Sequence, residues 1–267
     1  MTDNAQDADE VGLAEGDAGD LWEQHADWWQ AEFTDGVDPE YVEQILPLAQ
    51  QLLVGYDTVL DLGCGEGQIA RLVAERDDAP TVIGVDPTWS QIEAATQRGG
   101  NAQLGVAGAG ALAHPDAVFD AVIACLVFEY IDLLAPAIAE VARVLRPGGR
   151  FAFFLNHPLL QTPGSGWIDD HMVEPPDQYW RIGPYLMESA SVEEVQKDVF
   201  IPFVHRPLSR YINALSSHGL VVREMHEPAP PEGFRAKSPY FEAAAHIPRL
   251  AVLVCERVGD AASEPAR

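Results

Sequence analysis

The sequence has little positive charge and few cysteines. Lysine and arginine together number 16, against 42 aspartate and glutamate residues, so the formal net charge of the 267-residue chain is -26. Binding of a phosphate backbone needs clusters of basic side chains, so this balance disfavours a nucleic acid partner. The three cysteines, Cys64, Cys125 and Cys255, are too few and too widely spaced for a disulfide framework or a metal knuckle. We therefore expect no metal site, and the cytoplasm is the default location.

Long hydrophobic runs are also missing. The longest apolar stretches, residues 151–155 and 249–255, are strand-sized, whereas a membrane-spanning helix needs roughly 20 residues. Residues 1–20 are acidic and lack the basic and apolar segments of a secretory signal, so they are predicted to be a disordered tail. Residues 259–267 are predicted to be a second loose tail, which leaves residues 21–258 as a single domain. The acidity favours solubility or adaptation to a salty cytoplasm over an acidic docking surface.

Short apolar runs alternate with helical patterns between residues 58 and 155. Such alternation predicts a parallel sheet with helices on both faces. Ahead of it, residues 21–32 and 38–53 are predicted to be helical, with a kink or break at Pro47. Later in the chain, a helix is predicted over residues 207–218, with Gly219 as its stop. The predicted strands are residues 58–62, 81–86, 102–106, 119–125, 150–155, 220–225 and 249–256, and the helices between the first five are 68–76, 90–97 and 134–145.

Residues 61–67, with the sequence DLGCGEG, join the first predicted strand to the next helix. Glycines in such a turn permit positive φ and remove the Cβ atoms that would keep a ligand from the backbone. Asp86 ends the next strand, at a distance that suits an acid accepting both hydroxyls of a ribose. A glycine pattern is weak evidence by itself, but its position between a predicted strand and a predicted helix indicates a ligand-binding turn. Because the pattern is GxGxG and not GxGxxG, a nicotinamide dehydrogenase is disfavoured.

Four segments then resemble the class I S-adenosylmethionine-dependent methyltransferases in order and spacing: VLDLGCGEGQIA, IGVDPTWSQIEAA, AL…PDAVFD and EVARVLRPGGRFAF. The resemblance covers residues 22–256 and is strongest over 59–154. It implies an α/β, Rossmann-like, doubly wound seven-stranded sheet with its last strand antiparallel. It also implies methyl transfer with S-adenosylmethionine as cofactor. Gly108 stands where many relatives carry an acid that contacts adenine, so adenine recognition would rely on backbone.

The resemblance also implies where the cofactor binds. Asp61 and the glycines would approach its amino-acid part, Asp86 its ribose, and Pro87 and Trp89 its adenine. The backbone that follows the fourth strand would meet the methionine portion. The cofactor-binding positions implied in this way are Asp61, Gly63, Cys64, Gly65, Gly67, Asp86, Pro87, Trp89, Ala109, Cys125 and Leu126.

Residues that bind the methyl acceptor are harder to identify, because methyl transfer needs alignment and water exclusion more than it needs acid or base groups. Residues 156–205 lack a clear period and are predicted to be an irregular lid that contains the acceptor site. His157 is the candidate base, unless it only shapes a turn, and Arg206 would hold an acceptor carboxylate or form a salt bridge. Glu129 would contact a ligand or cap the next helix. The candidate acceptor residues are Trp28, Trp29, Glu129, Asn156, His157, Trp167, Tyr185, His205 and Arg206.

For the aromatic candidates the alternative is packing. Trp167 and Tyr185, together with Tyr179 and Trp180, would wall an apolar or cation-binding pocket, or form a small core of the lid. Trp28 and Trp29 would close over the cofactor or pack on the sheet. The leading hypothesis is methyl transfer to an oxygen or nitrogen of a small molecule. The alternatives are a non-catalytic cofactor-binding or regulatory domain, a lipid or protein acceptor, and other chemistry with the same cofactor.

Overall fold

The computed structural model of the protein describes residues 17–175, 177–238, 241 and 244–259. Most of the predicted N-terminal tail (residues 1–16) and most of the C-terminal tail (residues 260–267) lie outside them. The helices are α1 (Asp17–Gln24), α2 (Ala26–Phe33), α3 (Leu46–Leu52), α4 (Gln68–Ala74), α5 (Trp89–Arg98), α6 (Leu134–Val144), α7 (Leu208–Ser217) and α8 (Glu232–Arg235). The strands are β1 (Thr58–Leu62), β2 (Thr81–Asp86), β3 (Gln103–Val106), β4 (Phe119–Cys125), β5 (Leu145–Asn156), β6 (Gly166–Asp170), β7 (Asp177–Arg181), β8 (Ser189–Gln196), β9 (Val199–His205), β10 (Leu220–His226) and β11 (Leu250–Arg257).

The main sheet has seven strands in the order β10-β11-β5-β4-β1-β2-β3. Neighbouring strands from β5 to β3 are parallel, whereas β11 is antiparallel to both β5 and β10. The expected doubly wound sheet with an antiparallel last strand is therefore confirmed. The largest boundary difference is at β5, which begins at Leu145 and includes the predicted turn at residues 147–149. A register irregularity between Phe119 and Ala121 on β4 accommodates that turn.

Both faces of the sheet are buried, as the alternation along β5 shows. Phe151 and Phe153 pack on the side of α6 and α7, whereas Ala152 and Phe154 pack on the side of α3 and α4. A parallel strand covered on both faces explains why the sequence of β5 is almost continuously apolar. The edge formed by the carboxyl ends of β1, β2 and β4 is left to face loops, and this is where open α/β sheets bind ligands.

The N-terminal region is divided more finely than the sequence predicts. The first predicted helix is two helices, α1 and α2, separated at His25. The second predicted helix begins as a π-helical turn, Tyr41–Ile45, and becomes α-helical at α3. The change falls just before Pro47, which has no N–H to donate and so favours a local change of hydrogen-bond pattern. The predicted break at Pro47 is absent, because the helix continues through it to Leu52.

The segment at residues 156–205 is not irregular, and this prediction was wrong. It contains two antiparallel hairpins, β6–β7 and β8–β9, in separate two-stranded sheets. Pro202 lies inside β9, where it argues against a strand in the sequence but is tolerated in a sheet that consists only of edge strands. The second half of β9 is buried, including Ile201 and Phe203. Among the described residues, no helix is long and apolar enough to cross a membrane.

Candidate functional site

The glycine-rich turn lies at the carboxyl edge of the sheet and is tied to β2. The N–H groups of Gly63 and Cys64 donate to the carbonyl of Val85 at 2.8 and 3.0 Å. Gly63 and Gly65 have φ of +71° and +52°. A Cβ on Gly63 would lie 2.5 Å from Cγ2 of Val127, whereas one on Gly65 would meet nothing within 4 Å. Gly63 is therefore required by packing, and Gly65 leaves its backbone open toward the adjacent space.

That space is a cavity with an empty volume of about 830 Å³, here called the edge cavity. It lies where β1, β2 and β4 end. The predicted cofactor residues that line it are Asp61, Gly63, Cys64, Gly65, Asp86, Pro87, Cys125 and Leu126. The remaining three do not line it. Gly67 packs against Arg71 and Ala95, Trp89 is 61% exposed at the start of α5, and Ala109 packs against the core on the α6 side.

Two carboxylates of the edge cavity lack a cationic partner among the described residues. Asp61 is 2% exposed and its Oδ2 has no hydrogen-bond partner. Burial, with a smaller contribution from the nearby carboxylates of Asp86 and Glu66, raises the pKa of Asp61 to about 7. Asp86 accepts the N–H groups of Gly65 and Thr88, both at 2.9 Å, and burial raises its pKa as well.

This pattern of partners indicates what the edge cavity can hold. The unpartnered oxygen of Asp61 suits a ligand ammonium, because a buried acceptor gains most from a charged donor. A carboxylate has about four lone-pair sites, so Asp86 can still accept a hydrogen bond from a ligand hydroxyl. Glu66, by contrast, forms salt bridges with Arg71 and Arg98. The residues present therefore fit a cofactor with an amino-acid part and a ribose, as S-adenosylmethionine has.

A second cavity adjoins the first, with an empty volume of about 1040 Å³; we call it the aromatic cavity. The walls that the aromatic cavity does not share with the edge cavity come from the N-terminal helices and from the β8–β9 hairpin. The N-terminal helices are joined to the hairpin, since Nε1 of Trp28 donates to Gln196 at 2.7 Å, and to α5, since the carboxylate of Glu23 accepts the N–H of Ser90 at 3.1 Å. The residues common to both cavities are Trp22, Trp29, Tyr41, Leu126 and Tyr130.

Of the predicted acceptor residues, Trp28, Trp29 and Asn156 line the aromatic cavity. Trp167 instead packs edge-on against Trp180 across the β6–β7 hairpin, with ring centroids 5.5 Å apart. The hydroxyl of Tyr185 accepts the N–H of Leu208 at 2.8 Å. Neither Trp167 nor Tyr185 lines a cavity described here, so their ring contacts correspond to the packing alternative.

His205 and Arg206 are buried and make contacts within the protein. Nε2 of His205 lies 2.9 Å from the carbonyl oxygen of Tyr185. The guanidinium of Arg206 donates to the carbonyl oxygens of Phe128 and Asp132. The two roles predicted for Arg206, an acceptor clamp or a salt bridge, stay predictions. Arg206 holds the loop after β4, and the sequence does not reveal backbone carbonyls as its partners.

His157 and Glu129 lie behind the wall of the aromatic cavity. His157 is buried, with Nε2 2.8 Å from a carboxylate oxygen of Glu227 and Nδ1 accepting the N–H of Leu159 at 3.2 Å. Glu129 accepts both the N–H and the Nδ2 of Asn156, at 3.1 and 2.9 Å. Its burial raises the pKa of Glu129 to about 7. The structure brings neither side chain to a cavity wall, and His157 as a base stays a prediction that this geometry does not favour.

The alternative prediction, that Glu129 caps the next helix, is wrong. The residue before α6 is Leu133, and no side chain caps that helix. Instead Glu129 orients Asn156, because the bond from Nδ2 turns the amide. Among the described residues, none donates a hydrogen bond to Oδ1 of Asn156, so this oxygen is available to a ligand at the aromatic cavity.

Sequence reasoning missed several residues of the cavities. Tyr130 and Trp22 are 4.9 Å apart between ring centroids, and Tyr130 and Phe203 are 6.5 Å apart. Tyr130 lies in the segment after the end of β4, a position where a functional side chain could have been expected. Phe203 and Glu193 had no such signal, because their hairpin was not recognised as a pair of strands.

Comparisons with known proteins show what the chain is similar to. Residues 60–153 match the family model described as a methyltransferase domain. The chain is 37% identical over 148 residues to 27-O-demethylrifamycin SV methyltransferase from Amycolatopsis mediterranei, covering 52% of this chain and 51% of that protein. The chain thus spans about half the length of the curated relatives it matches.

Solved structures share the fold at lower identity. An S-adenosylmethionine-dependent methyltransferase from Mesorhizobium loti superposes with a TM-score of 0.68 and 24% identity, over 79% of this chain and 96% of that one. Geranyl diphosphate methyltransferase, solved with GPP and sinefungin, superposes with a TM-score of 0.56 and 17% identity, over 81% of this chain and 79% of that one. These likenesses show the fold.

Proposed function

We propose that the chain belongs to the class I S-adenosylmethionine-dependent methyltransferases and that it methylates an oxygen or nitrogen of a small molecule, a proposal supported by the match of residues 60–153 to the methyltransferase-domain model. The observation that carries the proposal is the pair of adjoining cavities. One presents the unpartnered Asp61 and the open turn at Gly65, and the other is walled by aromatic rings. A two-substrate reaction needs two such sites that meet.

The chain's own residues account for binding and alignment in this proposal. Asp61 would hold the amino group of the cofactor and Asp86 its ribose hydroxyls. When bound, S-adenosylmethionine supplies a methyl group on a sulfonium, which is a good leaving group. Trp22, Trp29 and Tyr130 lie between the cavities, where they would exclude water and align the acceptor. No general base is required if the acceptor arrives deprotonated.

A small acceptor is supported by the shape of the aromatic cavity and by one relative. The cavity is bounded by helices, a hairpin and the sheet edge. The relative from Amycolatopsis is named for a small molecule, 27-O-demethylrifamycin SV. Residence in the cytoplasm belongs to the same proposal, and the free state of Cys64, Cys125 and Cys255 supports it.

Calorimetry with S-adenosylmethionine and S-adenosylhomocysteine tests the cofactor part. The Asp86→Ala variant should bind about 100-fold more weakly, since it loses hydrogen bonds from two hydroxyls to a charged group. Asp77→Ala, which removes an exposed aspartate from the loop ahead of β2, is the matched control and should bind like the wild type. Failure of the wild type to bind either ligand would contradict the proposal.

The acceptor part needs a separate experiment. A cell extract incubated with isotope-labelled S-adenosylmethionine and the protein should yield a small molecule that gains one labelled methyl group, detected by mass analysis. The Asp86→Ala variant gives the background. Label found only on protein or lipid would contradict the small-molecule assignment. Cofactor binding without any labelled product would favour the non-catalytic domain.

A further inference from the structure

The aromatic cavity carries more negative than positive charge at its walls. Asp38, Glu40 and Glu193 line it, against a single cation, Arg249. Glu40 is paired with Arg249 at 2.8 Å, and Asp38 lies 3.6 Å from Nζ of Lys237. Among the described residues, Glu193 has no cationic partner.

The one cation of this cavity is committed to other groups. The guanidinium of Arg249 bonds Glu40 and lies over the ring of Phe234, 4.2 Å from its centroid. An incoming carboxylate or phosphate would have to compete with both contacts while it approached Glu193. An anionic acceptor is therefore disfavoured by charge.

Two polar groups that remain for a ligand are hydrogen-bond acceptors. Oδ1 of Asn156 is one of them, because Glu129 holds the amide nitrogen of that side chain. The carboxylate of Glu193 is another. Two donors already have partners within the protein. The side-chain nitrogen of Gln44 donates to the carbonyl oxygen of Ala229, and the indole N–H of Trp28 donates to Gln196, both at 2.7 Å.

The apolar walls suit a cation as well. Trp22, Trp28, Trp29 and Tyr130 form a chain of edge-to-face contacts, with successive ring centroids 4.9–6.2 Å apart. Aromatic faces attract an ammonium placed within about 6 Å, the more so when water is excluded. Glu193 is paired across the hairpin with Ile201, which also lines the cavity, so its carboxylate adds charge at the rim.

Building on the proposed function, we infer that the acceptor is a compact apolar or aromatic molecule that carries an ammonium group. The aromatic rings and Glu193 recognise the ammonium, and Asn156 accepts one of its N–H bonds. The same features select against acceptors that carry a carboxylate or phosphate.

Three probes of similar size test this inference: 2-phenylethylamine, 2-phenylethanol and 3-phenylpropanoate. Binding is measured by calorimetry at pH 7.5, where an alkylamine is protonated, with and without saturating S-adenosylhomocysteine. We expect the amine to bind at least about tenfold more tightly than the propanoate, with the alcohol between them. Glu193→Gln should weaken amine binding by about two- to fivefold, the range of exposed charge pairs, and leave the alcohol unchanged.

Glu194→Gln is the matched control, because Glu194 neighbours Glu193 on β8, pairs with the exposed Phe200 and does not line the cavity. It changes the net charge equally and should leave all three affinities as in the wild type. Equal binding of the probes, tighter binding of the propanoate, or equal effects of the two variants would overturn the inference. Loss of S-adenosylhomocysteine binding would instead count against the proposed function, while the probe series without that ligand still tests the acceptor class.

Discussion

Replacing Asp61 with asparagine should make the ligand-free protein more stable at high pH. Burial raises the pKa of Asp61 in the folded protein to about 7, whereas an aspartate in the unfolded chain titrates near 3.9. Because the folded pKa is the higher one, ionisation of Asp61 opposes folding. The penalty is absent below pH 4, grows between pH 4 and pH 7, and is complete above pH 7. A gap of about three pH units corresponds to about 4 kcal/mol.

The size of the effect can be worked out for two conditions. At pH 5.5 the penalty is about 2 kcal/mol, and at pH 8.0 it reaches about 4 kcal/mol. The asparagine amide has its own cost, since its nitrogen takes the place of the unpartnered Oδ2. That cost is the same at both pH values. The stability of Asp61→Asn relative to the wild type should therefore rise by about 2 kcal/mol from pH 5.5 to pH 8.0.

Urea unfolding of the ligand-free proteins at the two pH values measures this difference. Asp57→Asn is the control, because Asp57 is exposed just ahead of the same strand and its replacement removes one negative charge without touching the cavity. If Asp61→Asn gains no more between the two pH values than Asp57→Asn does, the reasoning about a buried carboxylate is refuted.

The affinity of the wild type for the cofactor should change with pH in the opposite direction to its stability. If an ammonium pairs with Asp61, binding favours the ionised carboxylate and releases a proton between about pH 4 and pH 7. The affinity of the wild type for S-adenosylhomocysteine should then rise with pH up to about 7. Asp61→Asn should bind at least about tenfold more weakly, with little of this pH dependence. Calorimetry in buffers of different ionisation enthalpy would detect the proton.

Three other predictions separate roles that the sequence leaves combined. Gly63→Ala should lower the free energy of unfolding, measured in urea, by about 2–3 kcal/mol, because the new Cβ would meet Val127 at a residue with positive φ. Gly65→Ala should lower it by only about 1 kcal/mol, but should weaken cofactor binding measured by calorimetry. His157→Gln should reduce stability by about 1 kcal/mol while kcat changes less than about threefold, and a larger fall in kcat with intact cofactor affinity would restore His157 as the base. Glu129→Gln should gain stability over the wild type as pH rises from 5 to 8, because burial raises the pKa of Glu129 to about 7; an equal effect at both pH values in urea unfolding would contradict this.

The cofactor half of the site was largely predictable because its signals are local. The glycines of the turn are required by positive φ and close packing, and Asp86 stands at a strand end that apolar patterning reveals. Strand periodicity and the alternation with helices predicted the central sheet. Trp89 and Ala109 were inferred from resemblance alone, and the structure places both away from the edge cavity.

The acceptor half was not predictable to the same degree. Pro202 and the mixed composition of residues 156–205 concealed two hairpins, so Glu193 and Phe203 were not considered. His205 and Arg206 looked like free ligand-binding groups, but the structure commits them to backbone carbonyls inside the protein. A charged residue type in a sequence does not tell which partner has already taken its hydrogen bonds.

By itself, then, the sequence determined the sheet, the turn at Gly63 and Gly65, and the acid at Asp86, since each follows from periodicity or from backbone geometry within a few residues. The aromatic cavity was decided only by the tertiary structure. Its wall joins Trp28 to Gln196, which are 168 positions apart in the chain. Contacts between residues so far apart in the chain depend on how the helices and hairpins pack on the sheet, so they cannot be predicted from a local sequence pattern.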